Sequence, residues 1–403
     1  RNRILLPGDV QLEGNVFGRP ADKGSVAIAG HLPDLKLSGN LYDSGMETGI
    51  HPESGLLLTE ITFSLNDLGL PEPFIESDNN NLSPSPLLPA PRLPDPRAVG
   101  PRWLEKLPDL LLLNNEQLQH FRYSDHPADA AFRETVSRQA QDILDKGNRY
   151  SVTFNDRMPP SGDIRDYYST GPYWWPDPDS PDGLPYIRID GKFNPERDRV
   201  SDREPLHQMI RDVRLLALAS VLSDNPEYAN WAVELLDTWF LDEETGMRPN
   251  LNHAQAIPGR TDGRGTGIID THPFAELVDA IRILEHSNNL SPVQSTALHA
   301  WFTEFADWLL TSDNGRDERN SVNNHGTAYD LQAAALLWYT GQESRLKDYL
   351  SLVARPRIGA QILPDGRQPK ELSRTRTWSY CTENLEHFFK LGLIGKAAGI
   401  DFF

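Results

Sequence analysis

Between residues 205 and 241 two apolar stripes of helical period flank a three-residue break, and this pairing limits the folds open to the chain more than any other feature. In the segment 205–222, Met209, Val213, Leu216, Leu218 and Val221 recur at intervals that put them on one helical face. In 227–241, Ala232, Leu235, Leu236, Trp239 and Phe240 do the same. The break, Asp224-Asn225-Pro226, is short enough that the two helices must lie antiparallel against each other. Such a hairpin hides its stripes only against further helices, so more are expected on either side.

Helical periodicity indeed returns over 128–146, 274–286, 293–310, 327–339, 343–353 and 385–398. The order is helix, short turn, helix, long polar loop, repeated. Stacked hairpins whose long loops gather at one end form a curved array. No fixed-period repeat is detectable, which disfavours a regular solenoid. The expected fold is mainly α: an (α/α) toroid or incomplete barrel of helical hairpins.

Residues 1–70 depart from this pattern. Short alternating runs at 10–13, 25–29, 35–38 and 57–63, separated by Gly, Pro and Asp, read as strands of a small β-rich N-terminal appendage of unassigned role. Residues 71–104 are rich in Pro and Ser, lack a periodic apolar face and read as a linker. The helical domain is then 105–403.

The chain of 403 residues carries a formal net charge of −19, which argues against nucleic acid as a partner because phosphate binding needs a basic face. No run of about 18 apolar residues exists, so no membrane insertion is expected. Cys381 is the single cysteine, which excludes an intrachain disulfide and a thiolate metal cluster. An anionic partner is compatible with this charge only where cations gather locally. Arg355, Arg357, Arg367, Lys370, Arg374 and Arg376 cluster in that way near the C-terminal end. The opening Arg1-Asn2-Arg3 reads as a processed start.

Two segments carry the candidate chemistry. Asn323-Asn324-His325-Gly326-Thr327 and Arg374-Thr375-Arg376-Thr377-Trp378-Ser379-Tyr380 together supply amides, an imidazole, two guanidiniums and a phenol. That set can hold a carboxylate and move a proton beside it, which is the chemistry of uronic acids. Asn324, His325 and an arginine would take charge off the carboxylate, while Tyr380 would serve as acid or base, worth roughly 10² to 10⁴ in rate. Each segment also has an ordinary reading. Asn323 and Asn324 could cap the helix that follows, the Arg-x-Arg pair could be solvated surface, and Tyr380 could be core.

Two long loops add binding candidates. The segment 155–203 contains Tyr173, Trp174 and Trp175 between prolines, and a loop so long and so aromatic is expected to be ordered and functional, with faces that stack on sugar rings. The alternative is that at least one tryptophan packs beneath the loop. The segment 249–267 offers His253 and Arg264. His207, in the first turn of its helix, lies where the aromatic loop re-enters and is a further candidate.

Six separated motifs carry a resemblance. They are Met158-Pro159-Pro160-Ser161-Gly162-Asp163, the segment from Pro172 through Trp174 and Trp175 to Pro178, Gly267-Ile268-Ile269-Asp270-Thr271, Asn323-Asn324-His325-Gly326-Thr327, Pro364-Asp365-Gly366-Arg367-Gln368-Pro369, and Arg374 through Tyr380. In this order they resemble the alginate lyase superfamily over roughly residues 105–403, and within it the polysaccharide lyase family 38 branch. The resemblance implies an (α/α) toroid with a tunnel or deep cleft. It also implies metal-independent β-elimination, without a cofactor, on an anionic polysaccharide such as alginate or glucuronan. Tyr380 would be proton donor, with Arg374 beside it, and would also be base for some uronates. Asn324 and His325 would neutralise the carboxylate, with His325 a second candidate base. His207 falls near a neutralising histidine of that branch. Tyr173, Trp174, Trp175, Arg264, His253 and Arg376 are the expected substrate contacts. Such a substrate places the protein outside the cell or in a periplasm. Relatives generally continue with further helices, so the toroid is expected to be incomplete.

Two other functions fit the residues. An inverting glycoside hydrolase on the same kind of toroid would need two carboxyls about 6.5–9.5 Å apart, and Asp270 and Asp330 are the candidates. A polysaccharide-binding protein without catalysis would dispense with both.

Overall fold

The computed structural model describes residues 110–402 apart from Asp224, together with the backbone of seven short strands between Arg3 and His51. The chain divides into two compact units at Arg92/Leu93.

In the first unit the strands are β1 (Arg3–Ile4), β2 (Gln11–Glu13), β3 (Val16–Phe17), β4 (Ala27–Ala29), β5 (Lys36–Ser38), β6 (Leu41–Tyr42) and β7 (Gly49–His51). Every pairing is parallel: Arg3 with Ala27, Gln11 with Lys36, Val16 with Leu41 and Ala27 with Gly49. The chain thus returns to the same ladder after about two dozen residues, the geometry of a coil of parallel strands. Three of the four predicted runs, at 10–13, 25–29 and 35–38, contain β2, β4 and β5. The run at 57–63 and the linker 71–104 lie outside the described residues.

The second unit is helical. Its helices are α1 (Asn115–Tyr123), α2 (Pro127–Lys146), α3 (Arg197–Val200), α4 (Arg203–Leu222), α5 (Pro226–Leu236), α6 (Phe274–His286), α7 (Pro292–Thr311), α8 (Asp313–Arg319), α9 (Asn324–Tyr339), α10 (Glu343–Tyr349), α11 (Arg355–Gln361), α12 (Pro369–Leu372) and α13 (Thr377–Ala398). The break that defined the first hairpin is an N-cap: Asn225 Oδ1 accepts from the Glu227 amide at 3.0 Å and Pro226 occupies the first turn. Ser291 and Gln294 form a reciprocal capping box on α7. Gly147, in the left-handed region with φ 57°, ends α2.

Helices α2, α4, α6, α9 and α13 each pack on the next, while α5 backs α4, and α7 and α10 back α9. This is the hairpin array of an (α/α) toroid, and among the described residues no comparable packing joins α13 back to α2. The core runs through all of these helices, with Phe240, Phe274, Trp301, Phe302 and Phe305 in one aromatic cluster. Helix α9 is its axis. Nearly every residue of α9 is buried, and polar side chains along its middle are matched: Thr327 donates to Gln361 at 2.9 Å and Gln332 accepts from Thr271 at 2.7 Å.

The long loops fold as small β units. Strand β8 (Tyr168–Thr170) pairs in parallel with β11 (His253–Ala256), and β9 (Trp174–Trp175) pairs antiparallel with β10 (Ile187–Arg188). The buried Asp202 carboxylate ties β8 to the start of α4 by accepting from the Tyr168 amide at 2.8 Å.

Candidate active site

A cleft of about 440 Å³ opens where the first turns of α9 and α13 meet the loops that precede α4 and α6. Its lining includes Tyr173, Trp174, Arg264, Asn324, His325, Arg374, Arg376 and Tyr380, eight of the eleven residues selected from the sequence. Distant helical hairpins therefore bring imidazole, amide, guanidinium and phenol onto one cavity.

Tyr380 stands in the first turns of α13, just after the arginine pair. Its hydroxyl lies 2.6 Å from the Tyr173 hydroxyl and accepts from Arg374 Nη2 at 3.1 Å, with the Arg374 guanidinium 4.2 Å from the ring centroid. Burial pushes the Tyr380 phenol well above its ordinary value and the hydrogen bond with Tyr173 adds to the rise, while Arg374 opposes it. The phenol therefore stays protonated at neutral pH.

Asn323 holds the N-cap position of α9, but its side chain makes no capping bond. Capping is therefore not what places an amide here. The Asn324 side chain is fully buried, lines the cleft, and has no hydrogen-bond partner at either Oδ1 or Nδ2. Leaving such a group unmatched costs about 1–3 kcal/mol, which a ligand in the cleft would recover. The Asn324 amide N–H donates to Glu371 Oε1 at 2.7 Å. His325 Nδ1 lies 2.6 Å from Glu318 Oε1, a carboxylate 1% exposed. That bond fixes the ring and leaves Nε2 as the free nitrogen. The first turn of α9 also directs its positive dipole end at the cavity, which favours an anion there. Gly326 lets this turn approach closely, because a Cβ would stand 2.1 Å from the Ser321 carbonyl oxygen.

The opposite wall is the aromatic loop. Adjacent residues of a strand point to opposite faces, so only one of the two β9 tryptophans can face the cleft. Trp174 does, under the Arg260 guanidinium at 5.4 Å. Trp175 turns away: its indole N–H donates to the Lys192 carbonyl at 3.0 Å and the Lys192 ammonium lies over its ring. Phe193 lines the cleft between Arg197 and Arg376, each about 4.5 Å from its centroid. Gln255 links Arg264 to Asp270, accepting from Arg264 at 2.8 Å and donating to Asp270 at 3.1 Å, from a backbone in the left-handed region at φ 47°.

Six arginines, Arg188, Arg197, Arg203, Arg264, Arg374 and Arg376, line the cleft against three carboxylates, Asp198, Asp270 and Glu383. Local positive charge thus coexists with the overall −19. Its source differs from the sequence expectation. Arg355, Arg357, Arg367 and Lys370 are not on the lining; Arg357 is committed to Asp330 and Arg367 to Asp365. Arg188, Arg197, Arg203, Phe193 and Glu318 were not singled out from the sequence. The loop arginines sit among acids and prolines without periodicity, and Glu318 lies in the highly charged α8, so nothing in their neighbourhoods distinguishes them from solvated surface.

The three other selected residues lie off the lining. Trp175 packs against Lys192. His253 Nδ1 faces the Asp262 carbonyl at 3.2 Å on the loop. His207 Nε2 meets the Asp270 carbonyl at 2.7 Å, behind the cavity wall; burial first and Arg203 second lower its pKa to about 4. The paired-carboxylate arrangement does not form either. Asp270 is enclosed by Tyr167, Ser169, Gln255 and Arg203. Asp330 is absent from the lining and receives Arg357 and Tyr349. Among the described residues, one group could hold a metal ion: His272, Glu383 and His387.

A family model described as alginate lyase matches residues 151–403. A crystal structure of an alginate lyase from Bacteroides ovatus is 40% identical, covers 73% of this chain and 78% of its own, and superposes with a TM-score of 0.70. No curated protein matches. A likeness of that extent over the helices that build the cleft settles the family: the chain belongs to the alginate lyases and is a polysaccharide lyase.

Proposed function

We propose that the cleft cleaves a uronic-acid polymer, alginate or glucuronan, by β-elimination, and that the chain falls in the polysaccharide lyase family 38 branch. The observation that carries the reading is the Tyr380 hydroxyl, held between Tyr173 and Arg374 and kept protonated, on the same cavity as a histidine whose Nδ1 is already engaged. The unmatched Asn324 amide and the first turn of α9 bind the C6 carboxylate and stabilise the enolate-like species formed when C5 loses its proton. His325 Nε2 takes that proton. The C4–O4 bond then breaks, and Tyr380 protonates the departing O4. The balance is one proton onto the imidazole, one proton off the phenol and a C4=C5 double bond in the new end. Trp174 supports a sugar ring, and Arg188, Arg197, Arg264 and Arg376 hold neighbouring carboxylates. A polymer of this kind is met outside the cytoplasm, which favours an extracellular or periplasmic site of action.

The test is a screen of alginate blocks, glucuronan and pectate for new ultraviolet absorbance. An unsaturated uronate end supports the reading; saturated products, or none from any uronan, end it.

A further inference from the structure

Glu383 and His387 lie one helical turn apart on α13, so both project from the same face. His272, which follows the 3₁₀ turn Gly265–Thr271, faces them. A ligand atom from each of the three lies within 4.8 Å of the others, and the His272 and His387 ring centroids are 5.4 Å apart. His272 and Glu383 line the cleft. His387 is 2% exposed, and its Nδ1 is buried without a hydrogen-bond partner. A buried imidazole nitrogen with nothing to bond is costly, and it is the observation that points to a ligand here.

We propose that His272, Glu383 and His387 form a site for a zinc-class divalent cation on the wall of the cleft. The donor set is two imidazoles and one carboxylate, which suits Zn²⁺ and disfavours the all-oxygen cations Ca²⁺ and Mg²⁺. The His272 Nδ1 lies 2.8 Å from the Ile269 carbonyl, which fixes that nitrogen as the donor and leaves Nε2 for the metal. The charges packed against the site are arranged to leave it open to a cation. Lys390 is held at 2.5 Å by both Glu276 and Glu386, Arg214 pairs with Glu276, and Arg203 pairs with Asp270. Three protein ligands leave a fourth position, and since two of the ligands line the cleft, that position is open to water or to a substrate carboxylate. None of the three ligands is among the proposed proton-transfer groups, although they share the cleft, and the inference does not depend on the β-elimination reading.

The experiment uses the full chain, stripped by a chelator and titrated with Co²⁺, whose visible ligand-field bands report coordination directly. One equivalent giving the intense bands of a four-coordinate ion, displaced by one equivalent of Zn²⁺, is expected. Glu383→Gln and His387→Gln should each weaken binding roughly 100-fold or more, and His253→Gln should leave it unchanged. Weak, six-coordinate bands, or equal binding by wild type and the Glu383→Gln variant, would overturn the assignment. Glu383 is only partly buried, so its variant keeps the test alive if replacing the buried His387 prevents folding. The readout is independent of turnover, so loss of the lyase reading and loss of the metal site are told apart.

Discussion

The two walls of the cleft are built differently. One stands on the first turns of α9 and α13: the buried Glu371 and Glu318 hold the Asn324 backbone amide and the His325 ring, and Tyr380 rises from the first turn of α13. The other is a loop pinned by two-stranded ladders, and it presents Trp174, Phe193 and several arginines. Groups that move protons need sub-ångström placement and so belong on helices anchored in the core, whereas groups that hold a long polymer gain from a surface that adjusts. The difference predicts that variants of the helical wall lose turnover and variants of the loop wall lose affinity.

The largest effect is expected at Tyr380. Tyr380→Phe removes the proposed proton donor yet keeps the ring over which Arg374 lies, so kcat should fall by about 10³-fold or more while oligosaccharide affinity changes little. Full turnover in this variant would remove Tyr380 from the chemistry and dissolve the contrast between the walls. Next comes Glu318→Gln, which keeps a partner for His325 Nδ1 but withdraws the carboxylate charge beside it. With His325 as the base of the proposed reaction, a drop of roughly 10- to 100-fold in kcat with KM nearly constant is expected. Steady-state kinetics measure both. His325→Ala should cost far more than His299→Ala, because His299 stacks on Tyr339 and pairs with Glu285 instead of lining the cleft.

How much of this was legible in the sequence follows the same division. Helix α6 begins and ends where its apolar period does, and α2, α4 and α7 differ from the periodicity by no more than two residues at either end. Helix α13 was visible only from Leu385, because Trp378 and Ser379 at its start are exposed and carry no stripe. The catalytic candidates of the helical wall were found because amide, imidazole and phenol are uncommon in such dense clusters. On the loop wall, Trp174 and Trp175 look alike as letters, and only the strand that forms between them and Ile187–Arg188 decides which one faces the cleft. The loop arginines could not be told from solvated ones because the contacts that gather them are tertiary.

Affinity variants sharpen the comparison from the other side. Trp174→Ala should raise KM roughly 10-fold with a smaller change in kcat, as expected for lost stacking worth about 1–2 kcal/mol, whereas Trp175→Ala should leave both near wild type. Arg197→Ala should raise KM several-fold at low salt and less at high salt, because a partly exposed cation is screened. Equal losses at the two tryptophans would mean that the loop wall acts as one rigid body with no distinct substrate-facing side.

The smallest expected change in turnover is at Asp202, the carboxylate that fastens the loop wall to α4. Burial raises its pKa to about 7, against the lowering exerted by hydrogen bonds from the Tyr168 amide and Asn155. Because the folded-state value lies above the unfolded one, the folded protein binds this proton more tightly. The contribution is complete below about pH 4 and is lost as pH rises through about 7. Asp202→Asn keeps an acceptor for the Tyr168 amide and carries no charge, so it should gain about 4 kcal/mol relative to wild type at pH 8 and almost nothing at pH 4. Denaturant unfolding at the two pH values measures this. If the wall is only fastened at Asp202 and takes no part in proton transfer there, kcat in the variant stays within about twofold of wild type; a large loss of kcat would show that the tether also sets the geometry of the helical wall.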